Sequence, residues 1–155
     1  MDFFCPLSPA KPISNISNPI FNVISYLFYE RTSLRIRMFM AIYDESLHDV
    51  IQKQRKLKKN FTVAQIKFCI THIINGIHFL HGYYIIHRDI KSGNVFIHND
   101  VQGEIQHLVI ADYDTAIQMD TPSSLIHETI GTPGWMAAEV LNSKETGYNL
   151  SADSN

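Results

Sequence analysis

The sequence predicts an α+β domain. Three observations carry that expectation: two β-branched and aromatic runs near the start, one long helix with an apolar face in the middle, and a short apolar hairpin after it. At 155 residues, with 45% apolar and 18% charged side chains, the chain has the composition of one globular domain with one core.

Residues 1–19 contain four of the six prolines together with several Ser and Asn, which predicts an irregular tail. Residues 20–29 and 34–42 are expected strands, joined by a turn over Glu30 to Ser33. A short helix is expected from Ser46 to about Lys53. A longer one opens at Thr62-Val-Ala-Gln65, which has the side chains of a capping box. In that helix Ile66, Cys69, Ile70, Ile73, Ile77 and Leu80 recur at helical spacing, and Gly82 stands where a left-handed residue would end it. Val95 to Ile97 and Leu108 to Ile110 flank a polar loop and predict a hairpin. The remainder, from Asp112 onward, reads as loops with one short helix around Ala137 to Asn142.

Charge and cysteine usage narrow the function classes. A net charge of −2 and a pI near 6.4 provide no global basic field for nucleic acid or anionic lipid, and the only basic run, Lys53 to Lys59, reads as a solvated helix edge. Cys5 and Cys69 have no metal-ligand spacing, so a disulfide framework is not expected and a reducing, cytoplasmic setting is. The apolar run Ile20 to Tyr29 is too short to span a bilayer, and the N-terminus lacks the pattern of a signal peptide. His72, His78, His81 and His87 are expected to be surface or packing histidines and not metal ligands.

The stretch that carries chemistry is Ile86-His-Arg-Asp-Ile-Lys-Ser-Gly-Asn94, which matches H-R-D-x-K-x-x-N. It is followed by Ile110-Ala-Asp-Tyr-Asp114, and then by Gly131-Thr-Pro-Gly-Trp-Met-Ala-Ala-Glu139. In order and spacing these three motifs resemble the catalytic loop, the D-F-G triplet and the end of the activation segment of eukaryotic-type Ser/Thr protein kinases. The resemblance covers roughly residues 20–155. It implies a protein-kinase-like α+β fold: a partial N-lobe sheet and hinge over 20–43, then the first half of a mainly helical C-lobe over 44–155.

The resemblance also assigns roles, and each has a physical reason. Asp89 would sit beside the attacking hydroxyl and take its proton, and Lys91 would stabilise charge on the transferring phosphoryl group. Asn94 and Asp112 would supply the hard oxygen ligands that Mg2+ requires. Met40 would be the gatekeeper, with Ala41, Ile42 and Tyr43 as the hinge that meets the adenine of ATP. Thr132 would hydrogen-bond near Asp89 and Lys91, and Glu139 would pair with an arginine late in the domain. Arg88 would receive a phosphorylated residue of the activation segment, for which Ser123, Ser124 and Thr129 stand as candidates. Asp153 would support the catalytic loop, and His87 would pack on Tyr113.

Four departures accompany the match. Asp114 replaces a glycine, whose backbone freedom aspartate shares only in part, and Ala138 replaces a proline. No glycine precedes Gly76 to form a phosphate-covering loop. The only lysine before Lys53 is Lys11, next to Pro12. Phosphoryl transfer from ATP to protein Ser or Thr is therefore the function implied, with weak or no activity expected of these 155 residues alone. Three explanations stay open: part of an active kinase, a pseudokinase serving as a non-catalytic interaction module, or a partial domain completed by another chain.

Overall fold

The computed structural model describes residues 22–154, so the expected tail and the first two residues of the first expected strand lie outside the described residues. The order is β1 (Tyr26–Arg31), β2 (Ile36–Met40), β3 (Glu45–Ser46), α1 (Leu47–Lys56), α2 (Val63–Gly82), β4 (Ile85–Ile86), β5 (Val95–Asn99), β6 (Ile105–Ile110), β7 (Ile117–Gln118), α3 (Ala138–Leu141) and α4 (Ser143–Thr146). Short 3-10 turns cover Ser92–Asn94 and Leu150–Ser154.

Among the described residues three small antiparallel sheets form: β1 with β2, β3–β5–β6, and β4 with β7. The first hairpin turns over Thr32 to Arg35, later than expected, where the Thr32 hydroxyl and carbonyl-to-amide bonds close the loop. β1 begins at Tyr26 and not near residue 20, because the preceding backbone pairs elsewhere: Val23 forms a parallel bridge with Ile110, and the Asn22 carbonyl accepts from Ile110 N at 2.8 Å. The second strand stops at Met40, which leaves Ala41 to Tyr43 free of strand pairing.

Both middle helices are set by capping boxes. Thr62 Oγ1 accepts from Gln65 N while Gln65 Oε1 accepts from Thr62 N, and Ser46 with Asp49 does the same for α1. α1 runs on to Lys56, with Lys53, Arg55 and Lys56 in its last turn, where cations suit the helix dipole. The end of α2 corrects an expectation: Gly82 is the last helical residue, and the left-handed conformation falls on Tyr84. The cause is tertiary, since the turned Tyr84 carbonyl accepts from Met119 N at 2.8 Å, next to the β4–β7 pairing.

α2 packs across β6, burying Cys69, Gly76 and Leu80. Ile66 and Ile70, expected on the core face, are 46% and 50% exposed, because the hairpin covers only the middle of a wide apolar arc that also includes Val63 and Ile74. By length and composition α2 could cross a membrane, yet here it is the helix against which the hairpin packs. At Gly76 a Cβ would lie 2.6 Å from the Asn22 carbonyl oxygen, so glycine is what lets residues 22–24 cross the helix.

The core is in three parts, and β6 joins two of them. Leu108 enters a cluster with Val50, Cys69, Val95 and Ile97, while Val109 and Ala111 face Ile24 with Tyr26, Tyr43, Phe96 and Tyr113 around them. The third cluster, Ile86, Met119, Ala137, Val140 and Tyr148, lies under the loops that follow the hairpin. Buried Cys69 is a free thiol whose pKa burial pushes up, the condition of an unreactive cysteine.

Candidate active site

The H-R-D stretch leaves β4 and is pinned from beneath by one carboxylate. Asp153, its side chain 2% exposed, accepts from His87 N at 2.7 Å, from Arg88 N at 2.9 Å, and meets His81 Nε2 at 3.1 Å. These bonds fix Arg88 in a left-handed conformation, φ 68°, which costs an arginine energy and must be held by its surroundings. His87 is fully buried. Its Nδ1 accepts from Asp89 N, so Nε2 carries the proton and donates to the Ala111 carbonyl at 3.0 Å. Its ring stands edge-on to Tyr113, with centroids 5.4 Å apart, and burial raises the Tyr113 pKa.

On this base Asp89, Lys91, Asn94 and Thr132 converge. Lys91 Nζ donates to Asp89 Oδ2 at 2.7 Å and to Thr132 Oγ1 at 2.6 Å. Asn94 Nδ2 donates to the Asp89 carbonyl at 2.9 Å and to Oδ2 at 3.0 Å, and Thr132 N donates to Oδ1 at 2.9 Å. Burial alone would push the Asp89 carboxyl up. The bonds from Lys91, Thr132 and Asn94, together with the Lys91 charge, more than offset it and hold the group below its ordinary value. Thr132 gets this close because Gly131 does: its φ is 138°, and a Cβ there would lie 2.7 Å from the Arg88 carbonyl oxygen.

Asp112 is exposed and stands at the same end of the β5–β6 hairpin as Asn94, since Ala111 N donates to the Asn94 carbonyl at 2.9 Å. Both Asn94 amide contacts go to Asp89, and among the described residues no hydrogen bond engages its Oδ1. Two hard oxygen donors thus flank one corner, a set that suits Mg2+. The backbone concern about Asp114 is corrected: the left-handed residue of the triplet is Asp112, φ 68°, and not Asp114. Met40, Ala41, Ile42 and Tyr43 line a cleft of about 520 Å³ together with Gly93 and Phe96, so the expected hinge opens beside the end of the H-R-D stretch.

The remaining expected residues lie apart from this group. Arg88 Nη1 pairs with Glu128 at 2.9 Å, and its Nε donates to the Thr115 carbonyl. Thr129 Oγ1 shares a hydrogen bond with the fully buried Ser143, and Glu139 sits in the first turn of α3. Ala138, where the motif has proline, is the first residue of that helix. Ala137 before it is extended at ψ 153°, so the backbone is one that proline would accept. Sequence reasoning missed Glu128, Thr115 and Ser143, whose partners lie 14 to 40 residues away and follow no motif. Among the described residues no three His, Cys, Asp or Glu side chains form a metal site, and His81 is spent on Asp153.

Comparison with known proteins then decides the family: residues 13–154 match the protein kinase domain. The chain belongs to the protein kinase domain family. It is 35% identical over 137 residues to "Kinase and exchange factor for Rac B" of Dictyostelium discoideum, covering 85% of this chain and 12% of that protein. It is 32% identical over 141 residues to "Mitogen-activated protein kinase kinase kinase 1b" of Physcomitrium patens, covering 91% of this chain and 17% of that one. It is also 36% identical over 88 residues to "Serine/threonine-protein kinase sid1" of Schizosaccharomyces pombe, covering 57% of this chain and 17% of the relative. The chain therefore spans 12% to 17% of the length of these relatives, and it aligns with part of a kinase-like α+β fold. Kinases of this family use ATP and Mg2+.

Proposed function

We propose that this chain carries the catalytic-loop half of a Ser/Thr protein kinase domain, with residues 20–43 as N-lobe and hinge and 44–155 as part of the C-lobe. One observation supports this most: Asp89 is an ionised carboxylate with both oxygens aimed by Lys91, Asn94 and Thr132, next to the Asn94 and Asp112 corner. A carboxylate held below its ordinary value is a weak base. Asp89 therefore orients the acceptor hydroxyl first and takes its proton late, as suits a reaction that depends on positioning.

Lys91 bridges Asp89 and Thr132 and puts an ammonium where charge develops on the transferring group. Magnesium held by the Asn94 and Asp112 oxygens would neutralise phosphate charge there. The backbone of Ala41 to Tyr43 would meet the adenine, and Met40 would bound the cleft. The relatives named as Ser/Thr kinases, together with Lys91 and Gly131-Thr132, favour Ser or Thr as acceptor. Of the three departures that favour a non-catalytic module, Asp114 and Ala138 sit in backbone geometries they can adopt, while the absent strand lysine continues to favour it.

The test is incubation of the 155-residue chain with γ-labelled ATP, Mg2+ and Ser/Thr peptides. The expected result is slow incorporation at most, abolished by Asp89→Asn. Incorporation that survives Asp89→Asn overturns the assignment of Asp89. Turnover of about 1–100 s⁻¹, ordinary for kinases, overturns the expectation that these residues alone position phosphate poorly.

A further inference from the structure

The Arg88 guanidinium is 8% exposed, and a cation so far removed from water needs an anion. Among the described residues that anion is Glu128, with Oε2 2.9 Å from Nη1. The chain on either side of Glu128 is tied down elsewhere. Ile126 pairs with Tyr148 through two backbone bonds of 2.8 and 3.0 Å, His127 Nδ1 bonds the Ser143 carbonyl, and Thr129 Oγ1 bonds Ser143 Oγ. Thr129 is thus engaged at its hydroxyl, while the charge on Arg88 is met by its neighbour.

These contacts close a ring. Arg88 directly precedes Asp89, and Glu128 lies four residues before Thr132, whose N–H donates to Asp89 Oδ1. Between them Gly131 rests on the Arg88 carbonyl. The Arg88–Glu128 bond therefore links the same two segments as the Thr132–Asp89 bond. We propose that Glu128 is a positioning residue, a resident carboxylate that seats Arg88 and keeps the Thr132 amide on Asp89 with no phosphate on the segment. This rests on the reading of Asp89 as the catalytic carboxylate, and it concerns how that site is kept assembled.

The consequence differs from the expectation that Arg88 awaits a phosphorylated Ser or Thr. Phosphate on Thr129 would have to break the Ser143 bond and would add charge next to Glu128, so it would compete for Arg88 and not complete it.

The experiment compares the wild-type chain, shown by mass to be unphosphorylated, with Glu128→Gln and Glu128→Asp. The readout is hydrogen exchange along the chain. In the wild type, protection at Ile130 to Thr132 is expected without phosphate. Glu128→Gln should raise exchange there about tenfold and leave α2 unchanged; Glu128→Asp should restore part of the protection. Unchanged exchange in Glu128→Gln, a rise spread equally over α2, or protection that appears only after phosphorylation would each overturn the proposal. This readout does not need phosphoryl transfer. Failure of the catalytic reading would appear as Asp89-independent labelling with this ring intact, and failure of the ring would appear here with Asp89-dependent labelling retained.

Discussion

Replacing Asp153 by alanine removes the acceptor of two backbone N–H groups inside the fold, His87 N at 2.7 Å and Arg88 N at 2.9 Å, and the partner of His81. A hydrogen bond to a charged group contributes about 1.5–3 kcal/mol, so losing two of them costs roughly 3–6 kcal/mol. The left-handed Arg88 then has less to hold it, in a conformation that costs on the order of 1–3 kcal/mol. Against a total stability of roughly 5–15 kcal/mol for a domain, Asp153→Ala should leave little or no folded protein. Asp153→Asn is the milder probe: its oxygen accepts one N–H while its NH2 faces the other, so about half the loss is expected. Urea unfolding gives the magnitude, and hydrogen exchange at His87 and Arg88 gives the location. A loss under about 1 kcal/mol for Asp153→Ala, with those amides still protected, would refute the claim that this carboxylate holds the catalytic loop.

Gly76→Ala should destabilise by about 1–3 kcal/mol in urea unfolding despite alanine's better helix propensity, because its Cβ would strike the Asn22 carbonyl and Ile110 Cδ1. Ala138→Pro should be neutral or stabilising by up to about 1 kcal/mol in the same assay, since it sits at the first position of α3 behind an extended Ala137. His107 has its pKa lowered by burial, with His98 and His72 adding to that and Asp44 opposing it, and its Nε2 is buried without a partner. The unfolded chain therefore protonates first, so this contribution is intact above the ordinary histidine pKa and is lost as pH falls through the folded value. Thermal unfolding at about pH 7.5 and about pH 5.5 should show that loss, and His107→Leu should flatten it.

Much of the fold was legible because its signals are local. The Thr62–Gln65 box and the two hairpins are each written in short stretches of sequence, and all three features form. β3, β4 and β7 were not legible, since a two-residue strand has no period to read and its partner is 31 to 52 residues away. The same limit explains Gly82, where local chemistry pointed to a left-handed glycine and a contact with Met119 put that conformation on Tyr84. It also explains Ile66 and Ile70, because helical spacing tells which side chains share a face but not how wide a layer covers them. At the site, the motif resemblance pointed to Asp89, Lys91, Asn94 and Thr132, which hydrogen bonds in the structure join through Asp89 and Lys91. Glu128 had no such signal, as nothing in an ordinary loop glutamate marks it as the partner of an arginine 40 residues earlier.

The most direct test is Mg2+-dependent binding of ATP to the 155-residue chain, followed by amide shifts in the wild type and in Asp112→Ala. The expected result is that ATP alone perturbs Met40 to Tyr43, that adding Mg2+ brings in Asn94 and Asp112, and that Asp112→Ala removes the second effect while sparing the first. Hinge shifts absent at millimolar ATP, or a magnesium response unchanged in Asp112→Ala, would contradict it.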